Sequence, residues 1–168
     1  MKNTAINLYI LNTNVEIAGK LRKYLLKRFG NLLNISLFFS SGSCLRMMDD
    51  SVDLVVVDDY LHATGGSAAS GVEVLKRIKT KNPNTDVIIL TSHEDIASAV
   101  DAMRNGARDY ISNQRGAWQR IQAIIDQVIK QPIRFFVAEY GINIFVLVFM
   151  VTFLIMGIAV FFTLRYWN

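Results

Sequence analysis

The chain has 168 residues, 52% of them hydrophobic, with 18 Lys and Arg against 14 Asp and Glu and a formal charge of +4. That length allows one ordinary domain and an appendage, and leaves no room for a second globular domain. The single Cys44 excludes an internal disulfide, and His62 and His93 have no thiol partners at zinc-site spacing. The basic residues are scattered over 20–28, 76–81 and 104–120 and read as solvated helix faces, so no nucleic-acid partner is expected.

Along the first 130 residues, short runs rich in β-branched and apolar residues alternate with helical spacing. Strands are predicted at Ala5 to Leu11, Ile35 to Phe39, Leu54 to Val57, Val87 to Leu90, and around Tyr110 and Ile111. Helices are predicted over Val15 to Phe29, around Cys44 to Met48, and over Val72 to Ile78, Ile96 to Met103 and Trp118 to Ile129. The runs LVVV and VIIL are apolar throughout, as central parallel strands covered on both faces must be. Strict alternation of strand with helix then implies right-handed crossovers and a doubly wound, five-stranded parallel sheet of the α/β class.

Ligands of such sheets bind beyond the carboxyl ends of the strands. The residues to inspect are therefore Asn12 and Thr13, Asp58 and Asp59, Thr91 and Ser92, and Ser112 and Asn113. The segment from Asp59 to Ser70 is long and rich in small residues, with neither a Walker ending nor a GxGxxG that would cradle phosphate. No nucleophile with a base assembles at these tips, so no catalytic residue and no enzyme activity is expected.

From Gly141 to Leu164, GINIFVLVFMVTFLIMGIAVFFTL, no charged residue occurs, over a length that exceeds the roughly 20 residues a spanning helix needs. Arg115, Arg120, Lys130 and Arg134 precede this stretch and only Arg165 follows it, which predicts a cytosolic N-terminal side. Tyr166 and Trp167 suit a membrane interface. The expected organisation is a cytosolic domain over 1–130, a juxtamembrane linker over 131–140 with Pro132 as a joint, a transmembrane helix over 141–164, and a far-side tail over 165–168.

The stretches VDLVVVDD, GVEVLKRIK, NPNTDVIILTS and AMRNGARDYIS resemble the receiver domain of bacterial two-component response regulators over about Thr4 to Lys130. The resemblance implies a phosphoacceptor at Asp58, a switching hydroxyl at Thr91 and a switching aromatic at Tyr110. It also marks departures. The family's acidic pair falls on Asn12 and Thr13, and its lysine falls on Asn113, so the site reads as degenerate. Magnesium would be left with Asp58 and Asp59, and neighbouring strand-end residues tend to face opposite ways, so no cofactor is expected.

The resemblance further implies a protein-binding face made by the fourth helix, fifth strand and fifth helix, with Arg104, Arg108 and Arg120 among its charges and a homodimer among its arrangements. The resulting expectation is a receiver held at the inner membrane of a bacterium that docks a protein partner without being phosphorylated. The alternatives are a phosphorylatable membrane-tethered regulator using Asp58, and a structural subunit of a membrane complex.

Overall fold

The computed structural model describes residues 5–61, 69–93, 95–139 and 144–166. The chain divides into two compact units, Met1–Ile124 and Ile125–Asn168. The first holds a parallel sheet whose strands are β1 (Ile6–Leu11), β2 (Leu33–Phe38), β3 (Leu54–Asp58), β6 (Asp86–Thr91) and β7 (Asp109–Ser112), in the order β2-β1-β3-β6-β7. Between them run α1 (Val15–Phe29), α2 (Ser41–Met47), α3 (Gly71–Lys81) and α4 (Ile96–Arg104), and α5 (Ala117–Glu139) follows β7. The predicted five-stranded α/β sheet is thus the observed one.

Burial explains why these runs became strands. Leu54, Val55, Val56 and Val57 of β3 and Val87, Ile88 and Ile89 of β6 are all within 2% of fully buried. Central parallel strands need apolar side chains on both faces, and these two supply them. Helix α1 presents Ala18, Leu21, Leu25 and Phe29 to the core at helical spacing, and α3 presents Val74, Leu75 and Ile78.

Helix starts are fixed by short polar side chains. The Asn14 carboxamide accepts from the Glu16 and Ile17 amides at 3.0 and 3.1 Å, Ser70 caps α3 through the Glu73 amide, and Asp95 caps α4 through the Ala97 and Ser98 amides. The α1 cap directs the chain away from the tip of β1 immediately after Asn12 and Thr13, which leaves those two residues at the sheet's carboxyl edge.

Two features differ from the sequence expectation. The segment after β3 is not loop throughout: β4 (Tyr60–Leu61) and β5 (Ala69–Ser70) pair antiparallel at its two ends. Two-residue strands carry no periodicity, so nothing in the sequence marks them. The second difference is in α5, which runs through Pro132 to Glu139, where a joint was expected. Proline lacks an N–H and leaves the Val128 carbonyl without its helical donor, yet the backbone stays helical on both sides.

In the second unit, α6 (Ile144–Tyr166) covers most of the stretch read as a span, starting three residues later and ending two later. Every side chain from Val148 to Ala159 is exposed, including Phe149, Met150, Phe153, Leu154 and Met156. The Thr152 hydroxyl donates back to the Val148 and Phe149 carbonyls at 3.0 and 2.9 Å, which satisfies the one polar side chain in that run. Among the described residues, no helix is long and apolar enough to cross a membrane. Residues 141–143 and the tail residues Trp167 and Asn168 lie outside the described residues.

Candidate functional site

At the carboxyl edge of the sheet, the ends of β1, β2, β3, β6 and β7 open into a cleft of about 790 Å³. Asn12, Thr13, Asn14 and Ile17 line it from the β1–α1 turn, Phe39 from the end of β2, and Asp58 and Tyr60 from the end of β3. Leu90, Thr91, Ser92 and Asn113 complete the wall. Six of the residues picked from the sequence (Asn12, Thr13, Asp58, Thr91, Ser92 and Asn113) therefore meet in one place, although they come from four different strand ends.

The strand ladder sets their positions. Asp58 is the last residue of β3 and stands opposite Leu90 of β6, one residue before Thr91. Thr91 stands opposite Ser112 of β7, and the Asn113 amide donates to the Thr91 carbonyl at 2.6 Å, which extends the ladder one step into the cleft.

Asp58 is half-buried, and its Oδ1 accepts from the Tyr60 amide at 3.3 Å. Asn12 is 5% exposed, and its Oδ1 accepts from the Asn14 amide at 2.7 Å. The Asn12 carboxamide thus serves the turn into α1. Thr91 is 1% exposed; its hydroxyl donates to the His93 carbonyl at 2.9 Å and accepts from the His93 amide at 3.2 Å. Both bonds shape the turn that follows β6.

Asp59 does not join Asp58 in the cleft. Its Oδ2 accepts from the Tyr110 phenol at 3.0 Å and its Oδ1 from the Gly71 amide at 3.3 Å. Side chains alternate across a strand, so consecutive aspartates at its end face opposite sides. The two carboxylates, weakly paired in the sequence as the metal ligands left to the site, thus face apart, as the alternation of strand-end residues leads one to expect. Tyr110 likewise stands outside the cleft lining, with its phenol directed to Asp59.

The electrostatics of the cleft follow from this sorting. Among the described residues that line it, Asp58 is the only charged side chain, and carboxamides stand at Asn12, Asn14 and Asn113. Among the described residues, no three His, Cys, Asp or Glu side chains gather as metal ligands. Magnesium prefers hard anionic oxygen and is bound through one or two carboxylates, and among the described lining residues Asp58 is the carboxylate that could meet it.

The three arginines named for a partner face are placed differently from one another. Arg120 grips Asp109 with two bonds, Nε to Oδ2 at 2.7 Å and a second nitrogen to Oδ1 at 2.8 Å. Arg108 lies 3.4 Å from Asp86. Arg104 is exposed in the last turn of α4. Beside it an apolar ridge stands out: Ile96, Val100 and Met103, on one side of α4 by spacing, are 83%, 45% and 52% exposed.

Sequence reading missed the apolar wall of the cleft, made by Ile17, Phe39, Tyr60 and Leu90. The signal for Phe39 was available, because it directly follows the end of the second strand, and strand ends are where such sheets bind. Tyr60 packs edge-on against His93 with ring centroids 5.5 Å apart.

Comparison with known proteins agrees with this geometry. The response regulator receiver domain model matches residues 13–125. The chain belongs to that family. It is 46% identical over 66 residues to the transcriptional regulatory protein ZraR of Klebsiella oxytoca, covering 39% of this chain and 14% of that protein. It is 32% identical over 62 residues to the regulatory protein LuxO of Vibrio cholerae serotype O1, covering 37% and 13%. Among solved structures, a response regulator receiver domain protein from Clostridium thermocellum superposes with a TM-score of 0.64 at 27% identity, over 76% of this chain and 96% of that one. The receiver thus aligns with a small part of each curated relative's length.

Proposed function

We propose that this receiver works as a docking module held at a bacterial inner membrane, with its N-terminal domain in the cytoplasm, and that it does so without accepting a phosphoryl group. The observation that carries the reading is the charge of the cleft. Phosphoryl transfer needs the charge on the transferring oxygens neutralised by a metal and a cation, and the lining residues supply one carboxylate and a carboxamide at Asn113.

Docking is supported by the ridge of Ile96, Val100 and Met103, whose apolar surface stands beside the exposed cation of Arg104. Arg120, already neutralised by Asp109, contributes less charge to that face. Anchoring is supported by the charge-free stretch 141–164 and by the exposed apolar side chains of α6. Tethering raises the concentration of the domain near membrane-bound partners without any new contact.

A second reading is favoured by the family itself and by the position of Asp58 at the end of β3: a phosphorylatable regulator using that carboxylate. One experiment separates the two. The full chain in detergent is titrated with magnesium and beryllofluoride while the amides of Asp58, Thr91 and Tyr110 are followed by NMR. Docking without phosphorylation predicts unchanged spectra and a silent Asp58→Asn, with Arg104→Glu releasing the partner. Saturable shifts that vanish in Asp58→Asn would establish the phosphorylated switch instead.

A further inference from the structure

The formal charge of the chain is concentrated in one helix. Helix α1 carries Lys20, Arg22, Lys23, Lys27 and Arg28 against a single acid, Glu16. Taking those five from the 18 basic residues and Glu16 from the 14 acidic ones leaves thirteen of each, so the rest of the chain balances and α1 accounts for the whole +4.

Within α1 the cations are sorted. Lys20 is bound to Glu16 at 2.6 Å, and the Arg28 guanidinium sits 5.8 Å from the Phe29 ring centroid. Arg22, Lys23 and Lys27 are all exposed and, among the described residues, stand in no ion pair. These three line a groove of about 600 Å³ together with Gly19, Leu26 and Leu37. Leu37 belongs to β2, the edge strand of the sheet. At Gly19 a side chain would meet nothing within 4 Å, so that end of the groove is open.

A basic rim over an apolar floor is the chemistry that takes an anionic amphiphile. The ammonium and guanidinium heads meet a phosphate while Leu26, Leu37 and the methylene stems of the lysines cover hydrocarbon. We infer that this groove is a contact site for anionic phospholipid headgroups, through which α1 lays the receiver against the bilayer. The inference rests on the membrane-anchoring reading above, because a tethered domain meets lipid phosphate at a concentration that a free one does not. Bilayer lipid is the committed source, since a soluble phosphate would leave the apolar floor uncovered.

The test uses the full chain with vesicles of phosphatidylcholine, with or without phosphatidylglycerol, and reads the acetylation rate of each lysine by mass spectrometry. Lys23 and Lys27 are expected to slow several-fold only when phosphatidylglycerol is present, with Lys76 of α3 unchanged. The protection should weaken at high salt and in Arg22→Glu, which leaves both reporter lysines in place. Equal rates in the two kinds of vesicle would overturn the inference. So would equal protection by soluble glycerol phosphate, which would make the groove a small-anion site. Recovery of the chain with neutral vesicles reports the anchor alone, so failure of the anchor and failure of the groove give different results.

Discussion

The Tyr110 phenol donates to the Asp59 carboxylate at 3.0 Å, and the same carboxylate accepts from the Gly71 amide. One side chain therefore ties β7, the edge of the sheet, to the first turn of α3. Removing either partner should cost about 1 kcal/mol, the usual net worth of such a bond. In urea melts, Tyr110→Phe should lower stability by about that amount in the native background. It should change stability little in an Asp59→Ala background, where the bond is already gone.

The same contact has a pH signature. Burial is the main reason the Tyr110 hydroxyl titrates above its ordinary value; the Thr91 hydroxyl pulls the other way, and the Asp59 bond and charge add to the rise. A raised folded-state value favours the protonated phenol, so this stabilisation is complete below the unfolded value near pH 10 and is lost as pH rises through the folded one. Tyr9 titrates high as well, chiefly from burial, so the comparison that isolates Tyr110 is native against Tyr110→Phe. Their stabilities should begin to converge above about pH 10 and meet only above the folded-state value.

Gly71 is required by proximity. A β-carbon there would lie 3.0 Å from both the Cα and the Oδ1 of Asp59, and 3.2 Å from a methyl of Ile89. Backbone cannot yield as a flexible side chain can, so Gly71→Ala should destabilise by about 1–3 kcal/mol. By moving Asp59 it should also bring the Tyr110 titration down, which ultraviolet absorbance of the phenolate would register.

Thr85 is fully buried before β6 and donates to the Val52 carbonyl at 2.8 Å. Thr85→Val keeps the shape and deletes the donor, leaving a buried carbonyl short of a partner. A loss of about 1–3 kcal/mol is expected in denaturant titration. An unchanged midpoint would mean that another donor reaches Val52.

Cys44 lies fully buried on α2, and burial pushes its thiol up to about 12. Thiolate is the reactive form, so at pH 8 the native chain should react with a maleimide far more slowly than a free thiol. Labelling in rising urea should follow unfolding, which makes this thiol a reporter of the core.

The sheet was legible because its strands are apolar runs bounded by turn residues. LVVV and VIIL fall in β3 and β6, and their carboxyl ends bring Asp58 and Thr91 together as the strand order requires. Alternation also foretold that Asp58 and Asp59 would part. What it could not supply was the partner of Asp59, because Tyr110 is 51 residues away and meets it only when β7 docks beside β6. The Arg120 grip on Asp109 was hidden for the same reason. Helix α5 was cut short at Pro132 by a local rule that the surrounding helix overrode.

The small β4–β5 ribbon joins Tyr60 to Ser70 and Leu61 to Ala69. Whatever sequence lies between those pairs leaves and re-enters the fold at adjacent points, so its length is not felt by β3 or α3. The closure cost of such a loop grows only logarithmically with length. The ribbon is therefore a natural splice point: a sensor peptide or a second domain inserted there would hang beside the cleft while the sheet kept its register.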